Sequence, residues 1–184
     1  MKKLTLIISA CLMLSVTYSI SALACGPTPQ KVVKDIVIKA DAATVWQLVK
    51  QFDAIAQWHP DVKMSGLLQK LDEDGASATF RLITLKNGLK IEEKRRETPD
   101  LEMKLDVQMT QGDFPVSNYR GVMQVKASAI AGESIVTWTG RFNNKANTLA
   151  ALAGQDNAAA LSAVNAFYEN GLAGLKVFIE SATK

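Results

Sequence analysis

From Val62 to Phe142 the chain reads as six extended segments separated by turns too short for anything but hairpins, which limits it to a sheet-based fold. The turn signals are Asp72-Glu73-Asp74-Gly75, Asn87-Gly88, Pro99-Asp100 and Ala131-Gly132. Asn87-Gly88 is the strongest, because both residue types tolerate positive φ. After Pro99-Asp100 the pattern alternates, with Met103, Leu105, Val107 and Met109 on one face and Glu102, Lys104, Asp106 and Gln108 on the other. Such a strand buries one face and wets the other. Hairpin-linked strands are antiparallel neighbours, so the pattern predicts one antiparallel sheet with one apolar face.

The flanks supply the rest. Val32, Val33, Ile36, Val37 and Ile38 make a β-branched strand over 31–39. Asp41 is a natural N-cap for a helix carrying Val45, Trp46, Leu48, Val49 and Phe52. A second short helical turn, Ala54 to Trp58, must stop at Pro60, which disfavours helix at His59. An Ala/Asn-rich connection, 143–154, leads to Leu161, Val164, Tyr168, Leu172, Leu175 and Ile179, spaced as one face of a long helix. Gly171 and Gly174 inside it each cost about 1 kcal/mol against Ala, which predicts a close approach or open space beneath. The expected architecture is α+β: a seven-stranded antiparallel curved sheet, two short helices, and a long C-terminal helix gripped by the sheet. At 184 residues with 48% hydrophobic content, one domain over 31–184 is expected.

Residues 1–24 read as a signal peptide: Met1-Lys2-Lys3, an apolar stretch from Leu4 to Val16, and Ala22-Leu23-Ala24 before the cut. Export to a bacterial periplasm is the expectation, with 25–30 a short Pro-containing leader. Cys25 follows the cut, so it is either the plain mature N-terminus or a site of lipidation. Without Lys2 and Lys3 the remaining bases number 19 against 18 acids, too near neutral for non-specific nucleic-acid binding. Cys25 as the lone mature cysteine permits no internal disulfide, and with one His it makes no metal cluster, so no cofactor is expected.

Catalytic signals are sparse. There is no Gly-x-Ser-x-Gly elbow, no phosphate loop and no dinucleotide fingerprint. His59, in Trp58-His59-Pro60, is either a general acid/base at a cavity mouth or a histidine bonded to nearby backbone that sets the turn. Inward-facing Met103, Leu105, Met109, Tyr119, Met123, Trp138 and Phe142, with Trp46 and Tyr168 from the helices, form either plain core or the lining of an apolar ligand cavity. Tyr119 or Trp138 would supply a polar handle. Arg81 and Arg141 read as solvated strand residues, with an acidic guest as the alternative. The charge run Lys90 to Glu97 has mixed signs and suits cross-strand pairs on a wet face, or docking of an acidic protein.

The order of elements with Val45-Trp46 and Trp58-His59-Pro60 resembles the START-like superfamily, the helix-grip or polyketide-cyclase (SRPBCC) fold. Within it, the chain is similar to the MxaD-like accessory proteins of bacterial methanol oxidation. The resembling strings are Gly26-Pro27-Thr28-Pro29-Gln30-Lys31-Val32, Thr84-Leu85-Lys86-Asn87-Gly88, Ile91-Glu92-Glu93, Pro115-Val116-Ser117-Asn118-Tyr119, Trp138-Thr139-Gly140-Arg141-Phe142 and Ala166-Phe167-Tyr168 through Lys176. The chain departs in Cys25, where the family carries His, and in 143–154, where the family is more acidic and Pro-rich. The resemblance implies a periplasmic, non-catalytic protein that assists electron transfer from methanol dehydrogenase to its cytochrome c. A carrier or sensor of a small hydrophobic ligand comes second. A cyclase- or dehydratase-type enzyme, by fold analogy alone, comes third.

Overall fold

The computed structural model describes residues 26–182; the expected signal segment and Cys25 lie outside the described residues. Seven strands form one antiparallel sheet: β1 (Gln30–Ile38), β2 (Val62–Leu71), β3 (Ser77–Leu85), β4 (Lys90–Arg96), β5 (Lys104–Gly112), β6 (Val116–Ala127) and β7 (Ser134–Asn144). Their order is β1-β7-β6-β5-β4-β3-β2, so β1 and β2 are the two edges. The short helices α1 (Ala42–Val49) and α2 (Ile55–Trp58) carry the chain between these edges, and α3 (Asn157–Ala182) lies along the concave face of the curved sheet.

Local chemistry explains the boundaries. The Asp41 carboxylate accepts from the Thr44 amide, capping α1, and the Asp156 carboxylate does the same for α3 through Ala159. At the β3–β4 turn only Gly88 takes positive φ (91°). The Leu85 carbonyl accepts from the Gly88 amide, so the loop spans three residues rather than two. Beyond β7 the buried side chain of Asn144 donates to the Thr148 carbonyl and the Asn157 carboxamide oxygen, tying the connection to the start of α3.

The core fills the space between sheet and helices: Val45, Trp46 and Val49 of α1, Ile83 and Leu85 of β3, Val136 and Trp138 of β7, and Val164, Tyr168, Leu172 and Leu175 of α3. The α3 glycines are close approaches. A Cβ on Gly171 would stand 2.7 Å from the His59 ring, and one on Gly174 would overlap the Trp58 carbonyl oxygen. An ion pair and a hydrogen bond fasten α3 to β1 at its edge, where Lys34 meets Glu169 at 2.6 Å and the Lys176 ammonium donates to the Val37 carbonyl. Among the described residues no helix is long and apolar enough to cross a membrane.

Candidate functional site

His59 closes α2 and is pinned from two sides. Its ring is 2% exposed and stacks on Phe167 of α3 with centroids 4.0 Å apart. Nε2 lies 3.0 Å from the Phe167 carbonyl oxygen, and Nδ1 receives the Asp61 amide at 3.2 Å. A carbonyl only accepts and an amide N–H only donates, so the ring is the neutral Nε2–H tautomer. Burial pushes its pKa down from 6.5 to about 4, against the opposing pull of the Asp61 charge and the Phe167 carbonyl. Of the two sequence readings, the backbone-bonded histidine is the one this geometry matches, with the principal partner supplied by α3 rather than by the neighbouring turn.

The pH dependence follows. An unfolded chain protonates His59 near 6.5 and the folded chain only near 4, so this contribution to stability is full above pH 6.5 and falls as pH drops toward 4. The expected loss across that window is about 3 kcal/mol. Urea midpoints measured between pH 7 and pH 4 should drop steeply for the parent chain and less steeply for His59→Gln. Parallel curves would contradict the assignment.

Deeper in the grip sit the other polar groups. Arg81 lies directly across from Glu93 on the concave face; its Nε and Nη2 donate to one Glu93 oxygen at 2.7 and 2.6 Å, and Nη1 donates to the Phe52 carbonyl at 2.6 Å. The guanidinium also covers the Phe52 ring at 4.5 Å. Arg81 is 4% exposed, which corrects the solvated reading; Arg141 is exposed, as expected. The Tyr119 and Tyr168 hydroxyls bond each other at 2.7 Å, and Trp138 stacks on Tyr168 at 4.3 Å. Burial, aided by the Glu93 charge, holds the Tyr119 hydroxyl well above the usual tyrosine range. Tyr168 is raised by burial first and by Tyr119 second, so both phenols stay neutral.

Space around these groups is scarce. The cavity between sheet and helices has about 10 Å³ open to a water-sized sphere, the room for one water at most. It is walled by Ile55, Trp58, Arg81, Leu105, Val107, Gly121, Met123 and Trp138. Of the residues singled out in the sequence, Arg81, Leu105, Met123 and Trp138 therefore reach it. Tyr119, Tyr168 and Phe142 are packed core, Met103 and Met109 are partly buried at its margin, and Trp46 is buried with its indole N–H on Asp100 at 2.8 Å. His59 lies under Phe167. Glu93 is the functional-looking group that sequence reasoning missed, and with it the buried partner of Arg81.

Several hollows open outward. A groove of about 400 Å³ at one end of the grip has Leu85, Leu89, Phe114, Pro115 and Phe167 as its apolar part and Asp61 and Lys86 on its rim. A charged hollow of about 510 Å³ lies on the outer face around Phe80. There the Glu92 carboxylate takes Lys70, Thr110 and Gln111, and Lys94 pairs with Asp72. The Lys90–Glu97 run is thus not one wet surface. Adjacent strand residues point to opposite faces, which sends Glu92 outward into that network and Glu93 inward onto Arg81. No group of described residues has the composition to hold a metal ion.

The chain matches the polyketide cyclase / dehydrase and lipid transport family over residues 29–180. An uncharacterised protein from Bacillus thuringiensis has a similar structure at 25% identity, with TM-score 0.65 over 82% of this chain and 98% of that one. A START superfamily protein from Mycobacterium smegmatis shares the fold at 15% identity and TM-score 0.65, over 83% of this chain and 98% of its own. ZhuI aromatase/cyclase from Streptomyces sp. R1128 shares it at 14% identity and TM-score 0.66, over 85% and 97%. No curated protein matches the chain.

Proposed function

The chain belongs to the polyketide cyclase / dehydrase and lipid transport family, a family and fold of ligand-binding and cyclase-type proteins, and from that premise we propose that this member is a periplasmic, non-catalytic accessory protein that assists electron transfer between methanol dehydrogenase and its cytochrome c. The observation that carries the reading is the closed interior. Where a carrier or cyclase needs room for a guest of several hundred Å³, this grip holds about 10 Å³, and His59, Arg81, Glu93, Tyr119 and Tyr168 are bonded to protein partners. A protein built this way acts through its outside, and the whole-chain resemblance to methanol-oxidation accessory proteins supplies the partners.

The test is the rate of cytochrome c reduction by methanol dehydrogenase with and without the purified mature chain, at low and moderate salt. Saturable acceleration that weakens with salt is the expected result, since charged docking is screened. His59→Gln should accelerate as well as the parent chain does. No effect at either salt would overturn the proposal.

One observation favours a second reading. The apolar groove is lined by Phe167, whose ring stacks on buried His59, so a swing of that side chain would deepen the groove into a site for a small hydrophobic ligand.

A further inference from the structure

The outer face of the sheet carries a row of like charges. Lys31 of β1 stands directly across from Arg141 of β7, and Arg141 directly across from Arg120 of β6. All three are exposed. Like charges opposed in this way on adjacent strands destabilise a sheet. One carboxylate answers them, that of buried Asp106, and it is taken by two donors of Arg120 with Arg96 close by. Neither the Lys31 ammonium nor the Arg141 guanidinium has a hydrogen-bond or ion-pair partner among the described residues. The next row along these strands, Val33, Thr139 and Val122, adds no acid. Elsewhere on this face the charges are matched, Lys70 with Glu92, Lys94 with Asp72 and Lys104 with Glu102.

We propose that the Lys31–Arg141–Arg120 row is the docking surface for an acidic protein, whose carboxylates supply the missing counter-charges. Which acidic protein this is rests on the accessory role proposed for the chain. Strands about 4.8 Å apart space the three cations by roughly 5 Å. A helix spaces side chains three or four residues apart by about 5–6 Å, so acids at i, i+4 and i+7 of a partner helix meet the row in step. Arginine takes a carboxylate through two parallel N–H donors, and exposed Val33 beside the row adds apolar contact. Anionic lipid fits less well. Lipid-binding clusters hold about four to eight basic residues, whereas this row has three, one of them already shared with Asp106.

The probe is a synthetic helical peptide with Glu at i, i+4 and i+7, set beside the same peptide with Gln there. Fluorescence anisotropy with the purified mature chain reads binding. At low salt the Glu peptide should bind about tenfold more tightly, and moderate salt should shrink the difference. Arg141→Gln should weaken that binding about fivefold. Lys63→Gln removes the same charge from an exposed position on β2 and should leave it unchanged. Arg141→Gln should also raise the urea midpoint, because it relieves both like-charge oppositions, so lost binding is not lost folding. Equal binding of the two peptides overturns the proposal, and so does an equal loss from Arg141→Gln and Lys63→Gln. The cytochrome c assay keeps the two proposals apart. A chain that prefers the Glu peptide through Arg141 yet accelerates nothing keeps this surface and loses the accessory role. Acceleration by a chain that does not distinguish the peptides does the reverse.

Discussion

Gly174→Ala is expected to destabilise the protein by about 3 kcal/mol, lowering its melting temperature by roughly 10 °C. A Cβ at this position would overlap the Trp58 carbonyl oxygen and stand 2.7 Å from Pro60 Cδ. Neither neighbour is a flexible side-chain tip: one is backbone and the other a ring closing a helix. Relief therefore requires α3 to lift away from α2, which stretches the His59–Phe167 hydrogen bond and opens the contact of Gly171 with Trp138. The helix-propensity gain of about 1 kcal/mol from replacing glycine is too small to offset this. Thermal unfolding followed by circular dichroism checks it. A melting temperature equal to or above that of the parent chain would mean that α2 and α3 are not in the contact described.

Glu93→Gln carries the second large effect. It removes the counter-charge of a guanidinium buried against Phe52, and breaking one side of a buried ion pair costs about 3–5 kcal/mol. The double variant Arg81→Met, Glu93→Leu removes both charges and should recover most of that loss. Urea denaturation of Arg81→Met, of Glu93→Leu and of the double variant closes the cycle. A silent Glu93→Gln would show that water reaches Arg81 and that the interior is wetter than the structure makes it.

Most of the fold was legible because period-two alternation and turn chemistry are local. Asp72-Glu73-Asp74-Gly75, Asn87-Gly88 and Ala131-Gly132 each lie where strands reverse, and the Asp41 cap falls where expected. The α3 glycines announced a close approach without naming its partner, since Trp58 and Gly174 meet only in the folded chain. Arg81 and Glu93 were hidden for a different reason. Alternation does place Arg81 on the same face as Ile83 and Leu85, and Glu93 on that of Ile91, so parity held the signal. Residue type overrode it, because a charged residue in a strand is by habit assigned to water. Only the cross-strand register, which pairs the two directly, shows that each makes the other's burial tolerable.

The interior was the question sequence could not answer. An apolar face lined with Met and aromatic residues fits a filled core and a ligand cavity equally well. Volume depends on helix placement, and here the two glycines set that placement by letting α3 descend onto Trp58 and His59.

Native mass spectrometry of the protein purified from its own cells under gentle conditions, set beside its denatured mass, decides whether that interior is closed. Equal masses per chain are the predicted result, since the cavity beside Trp138 has only about 10 Å³ open. A non-covalent hydrophobic molecule held near one per chain would contradict it and make the protein a carrier.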